Sequence, residues 1–246
     1  MILDTVITEK TVLAELKEKS EISPGVRSYL FEPDDDFPYT AGQYVFCSFN
    51  FNGKKYQKHF TVSNSPTRPG LEISTVVTRT NFKTALDSLE PGQEIKIRGG
   101  HGDFTLESMR QEKVCFIQEG IGITPVRSMM QYVMDSGSDL DAKLFYASPG
   151  PGGILFREEI EGAESYIPGF RVIHTLTGST DNTYENWRGR RGPVNADMIR
   201  ENCPDYEDRH FYISGSAAFN RAVKKMLTLD LDMEDYFVSV ENFTGY

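Results

Sequence analysis

The chain has few of the residues that build metal centres and disulfide frameworks. Its 246 residues include three cysteines, Cys47, Cys115 and Cys203, and four histidines, and all of them are scattered along the sequence. They form no CxxC pair and show neither zinc-ligand nor iron–sulfur spacing. We therefore expect no metal site, a reducing and hence cytoplasmic location, and cysteines that act as small buried residues.

Long hydrophobic runs and excess positive charge are also missing. No apolar run approaches the roughly 18 residues of a membrane span, and the start MILDTVITEK has no signal-peptide pattern. Asp and Glu outnumber Lys and Arg by 36 to 26, giving a net charge of −10, which disfavours nucleic-acid binding. With 39% hydrophobic and 25% charged residues, the composition is that of a globular protein. We expect no nucleic-acid partner and no membrane insertion.

The first half of the chain, residues 1–108, is rich in short β-prone segments. Turn signals such as Asn52-Gly53 and Pro91-Gly92 separate them. This pattern predicts an antiparallel β-barrel or sandwich with a short helix near residues 82–89. The predicted strands cover residues 44–51, 59–63, 71–78 and 94–98.

The second half, residues 112–246, alternates between strand-like and helix-like segments. Such alternation predicts a doubly wound parallel sheet, with the polar segment 107–112 as the junction between two domains. The predicted strands cover residues 113–117, 142–147, 170–176, 210–214 and 236–240, and the predicted helices begin at Pro125 and cover 156–161 and 217–227.

The stretch QEGIGITPVRSMM, residues 118–130, joins a predicted strand to a predicted helix. Gly120 and Gly122 suit a turn with unusual dihedral angles or close backbone approach, Thr124 suits a helix N-cap, and Pro125 suits the first helical position. A glycine turn before a helix N-terminus is a potential anion site. The alternative is a tight turn that binds nothing. Ser214-Gly215-Ser216 also follows a predicted strand, which favours a ligand site at this edge of the sheet.

Six motifs in order resemble those of the ferredoxin–NADP reductase family, FAD-dependent nicotinamide reductases. GQY begins at Gly42, KHFT at Lys58, GGHGDFTL at Gly99, GIGITP at Gly120, YISGS at Tyr212 and ENFTGY at Glu241. The resemblance covers nearly the whole chain and implies a FAD-binding barrel followed by a nicotinamide-binding domain.

The resemblance implies a flavin site in the first half. Lys58 would face the FAD pyrophosphate, Phe60 would stack on the isoalloxazine ring, and Thr61 would offer a hydroxyl near flavin N5. Val62 and Ser63 would hold the ring with backbone groups. Further implied FAD contacts are His59, Val76, Thr78, Lys83, Thr84 and, at the end of the chain, Tyr246.

The resemblance also implies a nicotinamide site in the second half. Ser214 would lie near the nicotinamide ring and Glu241 near the site of hydride transfer, so Thr61, Ser214 and Glu241 are the candidate catalytic residues. The dinucleotide would contact Gly120, Gly122, Thr124, Pro125, Ser148 and Gly215.

Each of these candidates has a structural alternative. Lys58 could be a solvated lysine beside Lys54 and Lys55, and Phe60 could be barrel core. Glu241 could be an ordinary surface carboxylate, and Ser214 could cap the next helix.

Several residues depart from the family pattern. Lys58 and Phe60 replace the usual Arg and Tyr, and Glu119 places a carboxylate where it would repel a dinucleotide phosphate unless it points elsewhere. The segments 147–153 and 177–181 contain no arginine or lysine to meet a 2′-phosphate. NADH is therefore slightly favoured over NADPH, although Arg188, Arg190 and Arg191 follow and could reverse that preference.

The sequence thus predicts a flavin-dependent oxidoreductase that moves a hydride from NAD(P)H to FAD. Electrons would pass to a separate acceptor such as a ferredoxin, a flavodoxin or an oxygenase component. A FAD-bearing electron-transfer subunit that does not use a nicotinamide is the first alternative. A scaffold that has lost its flavin is the second.

Overall fold

The protein is described by a computed structural model over residues 10–109, 113–178 and 186–242. Its first half forms an antiparallel sheet of order β4-β3-β6-β1-β2-β5. An antiparallel bridge between Val62 and Ile73 joins the two outer strands, so the sheet curls into a barrel. The elements are β1 (Thr11–Ser23), β2 (Val26–Pro33), β3 (Tyr44–Phe51), β4 (Lys54–Thr61), β5 (Leu71–Val76), α1 (Asn81–Asp87) and β6 (Glu94–His101).

The predicted antiparallel fold is confirmed, but two long strands were not predicted individually. In β1, Val12, Ala14 and Leu16 are buried and alternate with more exposed residues, which is the period of a half-buried strand. The interspersed Glu and Lys side chains weaken this signal, because they are depleted in strands. Gly25, with φ +74°, turns the chain directly from β1 into β2.

The second half forms a sheet of order β10-β9-β8-β7-β11-β12, and all of its strand pairs are parallel. This confirms the predicted doubly wound sheet, to which the structure adds α4 and the short β10. The elements are β7 (Lys113–Glu119), α2 (Thr124–Ser136), β8 (Asp141–Ser148), α3 (Arg157–Tyr166), β9 (Phe170–Leu176), β10 (Arg190–Arg191), α4 (Ala196–Asn202), β11 (His210–Gly215), α5 (Ala217–Leu229) and β12 (Val238–Asn242).

The third helix was predicted one residue too early and too short. Phe156 adopts the left-handed conformation, φ +54°, so α3 begins at Arg157 and continues to Tyr166. In α2, Val126, Met129 and Val133 recur at helical spacing and are at most 1% exposed, so they form the buried face of this helix.

The strand order reverses between β7 and β11, which creates the switch point of the parallel sheet. β8 and β9 extend from one side of β7, whereas β11 and β12 lie on the other. The carboxyl ends of β7 and β11 therefore border a crevice, the usual ligand position in such sheets. The barrel packs beside this crevice, where the rings of Phe104 and Tyr212 meet edge to face with centroids 5.2 Å apart. Among the described residues, no helix is long and apolar enough to cross a bilayer.

Candidate functional site

Two glycines shape the turn between β7 and α2 for different reasons. Gly120 has φ +51°, and a Cβ there would meet no atom within 4 Å. Gly122 has no such dihedral requirement, but its Cβ would lie 2.4 Å from the Ser214 backbone oxygen. Gly120 therefore provides a left-handed turn, and Gly122 lets the backbone at the end of β11 approach. Both sequence-based reasons for glycine apply, each at one position.

The predicted N-cap role of Thr124 is wrong. Residues Gly120–Ile123 form a short 3₁₀ helix that runs directly into α2, so the cap position falls on Ile123 and Thr124 is already helical. The Thr124 hydroxyl instead donates to the Ile121 carbonyl at 3.1 Å. Pro125 lies in the first turn as predicted. No side chain in the described ranges caps this helical segment, and the Thr124 N–H donates to the Ile121 carbonyl. The N–H groups without an intrahelical partner are therefore those at the start of the 3₁₀ turn, from Gly120 onward.

The neighbouring turn between β11 and α5 is capped from within the protein. The Ser216 hydroxyl accepts the Phe219 N–H at 3.2 Å, and the Glu119 Oε2 atom accepts the Ser216 N–H at 3.1 Å. Glu119 thus occupies the positive end of α5. Gly215 makes room for it, because a Cβ there would lie 2.9 Å from the Glu119 Cβ. The capping serine is Ser216, so the interpretation of Ser214 as a cap is wrong.

Three polar side chains lie side by side at the carboxyl ends of neighbouring strands. Ser214 on β11 pairs in register with Gln118 on β7 and with Glu241 on β12. Ser214 Oγ, Gln118 Oε1 and Glu241 Oε2 are buried and have no hydrogen-bond partner within the described part of the chain. Gln118 uses its amide nitrogen for the Tyr212 carbonyl at 2.9 Å. Sequence reasoning gave Gln118 no role, since its neighbours in space come from a strand about 100 residues away.

Burial also sets the protonation of Glu241. Loss of solvent raises the pKa of this carboxyl from 4.5 to about 7, because a charge is disfavoured away from water. Glu241 is therefore not an ordinary surface carboxylate. Buried polar atoms without partners are costly, and in a crevice they indicate a polar ligand. The arrangement fits a group with both donors and acceptors, such as a carboxamide.

A cleft of about 900 Å³ separates the barrel from β11 and β12. Its size is within the range of small-molecule sites. Both halves of the chain contribute to its walls, and Glu241 lies at its edge. The barrel contributes Gly42, Tyr44, Gly102, Asp103, Phe104, Glu107 and Ser108, and the parallel sheet contributes His210, Tyr212, Asp235, Tyr236 and residues 238–241.

Two lysines on the barrel share one environment. Lys58 on β4 is half-buried and Lys83 on α1 is 4% exposed. Burial lowers the pKa of both amines, that of Lys83 to about 8, and the positive charge of Lys58 contributes to the Lys83 shift. Lys58 is therefore not a freely solvated lysine. Two partly desolvated cations close together fit an anionic group such as a pyrophosphate.

The next four residues, 60–63, are packed or hydrogen-bonded within the barrel. Phe60 is 8% exposed, belongs to the barrel core and packs against Phe82 with ring centroids 5.6 Å apart. Thr61 is 4% exposed. The N–H groups of Val62 and Ser63 donate to the Gln43 and Glu72 carbonyls at 3.0 and 2.7 Å. These two N–H groups are therefore not free to hold a flavin ring, which corrects part of that prediction.

The other predicted site residues are spread over both halves. Thr78 Oγ1 and Ser148 Oγ are buried and lack a partner among the described residues. His59 is exposed, with its ring 5.3 Å from that of Tyr44. Val76 is half-buried at the end of β5, and Thr84 is exposed on α1. Tyr246, most of the final motif (243–246) and residues 110–112 and 179–185 lie outside the described ranges.

The chain matches two family models in the order of its two sheets. Residues 13–106 match the oxidoreductase FAD-binding domain, and residues 116–225 match the oxidoreductase NAD-binding domain. The chain belongs to the ferredoxin–NADP reductase-like family. The fold class and the pairing of a FAD-binding with an NAD-binding domain are those expected from the motifs.

Relatives of this chain include reductases of several kinds. The chain is 29% identical over 217 residues to the glycine betaine monooxygenase reductase subunit of Chromohalobacter salexigens, a match that covers 86% of this chain and 59% of that protein. It is 29% identical over 224 residues to NADH-cytochrome b5 reductase 1 of Aspergillus oryzae, covering 85% of this chain and 75% of the other. The chain thus spans less than two thirds of the first relative.

A solved structure confirms the fold. The FAD/NAD-binding domain of nitric oxide dioxygenase from Vibrio cholerae superposes with a TM-score of 0.80 at 19% identity, covering 94% of this chain and 98% of that one. Such low identity supports the architecture, and the chemistry has to be argued from the residues themselves.

Proposed function

We propose that the protein is an NAD(P)H-dependent FAD reductase that supplies electrons to a separate redox protein. Residues 1–108 would hold FAD and residues 112–246 the nicotinamide dinucleotide. The observation that carries the proposal is the row of buried atoms on Gln118, Ser214 and Glu241 that have no hydrogen-bond partner among the described residues. This row lies at the switch point, next to the uncapped N-terminus of α2 and the cleft to the barrel.

The FAD site would be built around the two lysines. Lys58 and Lys83 would meet the pyrophosphate, and Thr78 Oγ1 offers a buried hydroxyl at the strand end that precedes α1. Phe60 would serve as an apolar wall, and Thr61 would face flavin N5. When bound, FAD would supply two-electron acceptance from a nicotinamide and release of those electrons to the next acceptor. The protein supplies orientation and exclusion of water.

The dinucleotide site would be built around the β7–α2 turn. Backbone N–H groups from Gly120 to Gly122, at the start of the 3₁₀ turn, would receive the phosphates. Ser214 Oγ and Gln118 Oε1 would bind the nicotinamide carboxamide, whose donor and acceptor match them. Glu241, whose pKa is about 7, would be protonated in about half of the molecules at neutral pH, and the protonated form would donate a hydrogen bond to the ring's polar edge.

NADH is the favoured nicotinamide. Ser148 ends β8 with a buried hydroxyl, and the loop that follows, residues 149–153, contains no cation. Arg157 and Arg190 line a separate cleft nearby and pair with Glu161 and Glu201. Arg188 lines the same cleft and is the cation that would meet a 2′-phosphate if NADPH were bound there. One relative of the chain is also named an NADH-dependent reductase.

The acceptor would be a one-electron redox protein: a ferredoxin, a flavodoxin or an oxygenase component. Relatives named as reductase subunits of oxygenases support the last of these. A cytoplasmic location stays a prediction.

The proposal is tested by reconstitution and turnover. Purified apoprotein should bind one equivalent of FAD, and the holoprotein should reduce ferricyanide with NADH in a ratio of about two to one, as a two-electron donor and one-electron acceptor require. Lys58→Arg should retain or tighten FAD binding because it restores a forked donor, whereas Lys58→Met should weaken it. Apoprotein that fails to bind FAD would contradict the proposal.

A FAD-bearing electron-transfer subunit is the second candidate. The charge of Glu119 near the crevice disfavours a dinucleotide phosphate there, and the partly desolvated pair Lys58 and Lys83 favours this candidate over a scaffold without flavin. Its signature would be a bound flavin that neither NADH nor NADPH reduces but that dithionite does.

A further inference from the structure

One face of α2 carries polar side chains that contact the barrel. Arg127 and Gln131 lie one turn apart on this helix and face the loop between β4 and β5. The set formed by Arg68, Glu72, Arg127, Gln131 and Glu159 is called the α2 polar cluster below. It connects four parts of the chain: the loop after the flavin motif, strand β5, helix α2 and the first turn of α3.

Arg127 is the centre of this cluster. Its Nη1 atom donates to the Ser63 carbonyl at 3.1 Å and to Glu72 Oε2 at 3.0 Å, and its Nε atom donates to Glu159 Oε2 at 2.8 Å. The side chain is 12% exposed. A planar guanidinium can hold three such acceptors at fixed angles, which an ammonium group cannot.

The aromatic ring of a residue with an unfavourable backbone conformation packs against the Arg127 guanidinium. The Arg127 Cζ atom lies 4.1 Å from the centre of the Phe156 ring. Phe156 has φ +54°, a conformation that a bulky L-residue rarely adopts. Such strain persists only where the surroundings enforce it, and it tends to occur at functional sites.

The positions of these contacts connect the two cofactor sites. Ser63 lies two residues after Thr61, the candidate neighbour of flavin N5. Arg127 lies one helical turn after Thr124, the first residue of α2. A second contact of the same kind is the Ser128 hydroxyl, which donates to the Asn64 carbonyl at 2.6 Å. The backbone of the flavin motif and the N-terminus of the dinucleotide helix are thus joined directly.

We propose that Arg127 is a positioning residue for hydride transfer, which fixes the distance between the flavin and nicotinamide sites by holding the Ser63 carbonyl against α2. This inference rests on the proposed function. Arg127 touches the candidate FAD site only at the Ser63 carbonyl, so its effect passes through Ser63 and α2. A change of about 1 Å in the distance between reacting groups is enough to lower a rate about 100-fold.

Arg68 provides a matched control. It also joins the β4–β5 loop to α2 and α3, through Asp135 at 3.1 Å and Glu159 at 3.2 Å. However, its contact on α2 is Asp135, at the far end of the helix, and within the described ranges its guanidinium bonds only to carboxylate side chains. Loss of Arg68 removes ion pairs between the two halves without releasing Ser63.

The test compares Arg127→Met, Arg127→Lys and Arg68→Met in FAD-loaded protein by anaerobic stopped flow. We expect Arg127→Met to lower the limiting rate of flavin reduction by NADH about 100-fold, with a small change in the half-saturating NADH concentration. Arg127→Lys should recover part of the rate, and Arg68→Met should stay within about threefold of the unaltered protein.

Hydrogen exchange of the apoprotein is the second readout and needs no cofactor. Amides 61–66 should exchange faster in Arg127→Met and at the normal rate in Arg68→Met. Equal losses in the two Met variants, or a normal reduction rate in Arg127→Met, would overturn the inference. If the unaltered protein is not reduced by NADH or NADPH, the proposed function fails. The exchange experiment then still decides whether Arg127 holds Ser63.

Discussion

The two strand-to-helix turns at the switch point are built from similar residues but treat their helix N-termini differently. The turn after β7 leaves α2 without a side-chain cap, whereas the turn after β11 caps α5 with the Ser216 hydroxyl and the Glu119 carboxylate. A helix N-terminus attracts anions. The Glu119 carboxylate already occupies the N-terminal end of α5, whereas no side chain in the described ranges occupies that of α2. This difference is the reason for proposing that the phosphates bind at the turn before α2 and the uncharged nicotinamide on the α5 side.

The largest expected effect comes from the glycine that brings the two turns together. Gly122→Ala would place a Cβ 2.4 Å from the Ser214 oxygen, so we expect a loss of about 3 kcal/mol in unfolding free energy and loss of dinucleotide binding. Gly120→Ala is the control. Its new Cβ would contact no other atom, so only the left-handed backbone conformation opposes it, and the unfolding free energy should fall by roughly 1 kcal/mol. Chemical denaturation and NAD⁺ titration measure both. Equal losses would show that Gly122 is not packed against β11.

The second prediction concerns the carboxyl beside the α5 turn. The folded-state pKa of Glu241, about 7, lies above its ordinary value of 4.5. Ionisation therefore destabilises the folded protein increasingly as pH rises from 4.5 to 7, and the penalty is complete above pH 7. Glu241→Gln should be as stable as the unaltered protein near pH 4 and more stable at pH 8 by up to about 3 kcal/mol. A difference independent of pH would contradict the burial of this carboxyl.

The two serines of the β11–α5 turn should behave in opposite ways. Ser216→Ala removes the cap of α5 and should lower the unfolding free energy by about 1 kcal/mol. Ser214→Ala removes a hydroxyl without a partner in the described ranges, so stability should be nearly unchanged while NAD⁺ binding weakens. Thermal denaturation and NAD⁺ titration of both variants test this crossover. A strongly destabilised Ser214→Ala protein would point to a structural partner instead.

The smallest expected effect is on NADH affinity, and it comes from removing the charge of Glu119 at the α5 turn. Glu119→Gln keeps an acceptor for the Ser216 N–H but removes the charge near the crevice. We expect NADH to bind roughly threefold more tightly and with a weaker dependence on salt. FAD affinity serves as the control and should not change. Weaker NADH binding would mean that the carboxylate assists the ligand.

The parts predictable from the sequence are those with local signals. Alternating strands, turn dipeptides and the strand–glycine–helix pattern predict both sheets and place Gly120 and Gly122 correctly. Glu119 was recognised as unusual, but its partner lies 97 residues away, so its role as an α5 cap follows only from the topology. The same holds for Arg127, whose contact with Ser63 spans 64 residues. Phe60 was found from its motif, but its burial was not, because a position in a motif does not reveal how deeply the ring is buried.

The most direct test of the central claim is an anaerobic absorbance titration of the FAD-loaded protein with NADH and, separately, NADPH. We expect the flavin absorbance band, at roughly 450 nm, to bleach rapidly with one equivalent of NADH and more slowly with NADPH. Gly122→Ala protein that still binds FAD should bleach with neither at low concentration. A yellow protein that neither nicotinamide reduces would contradict the account.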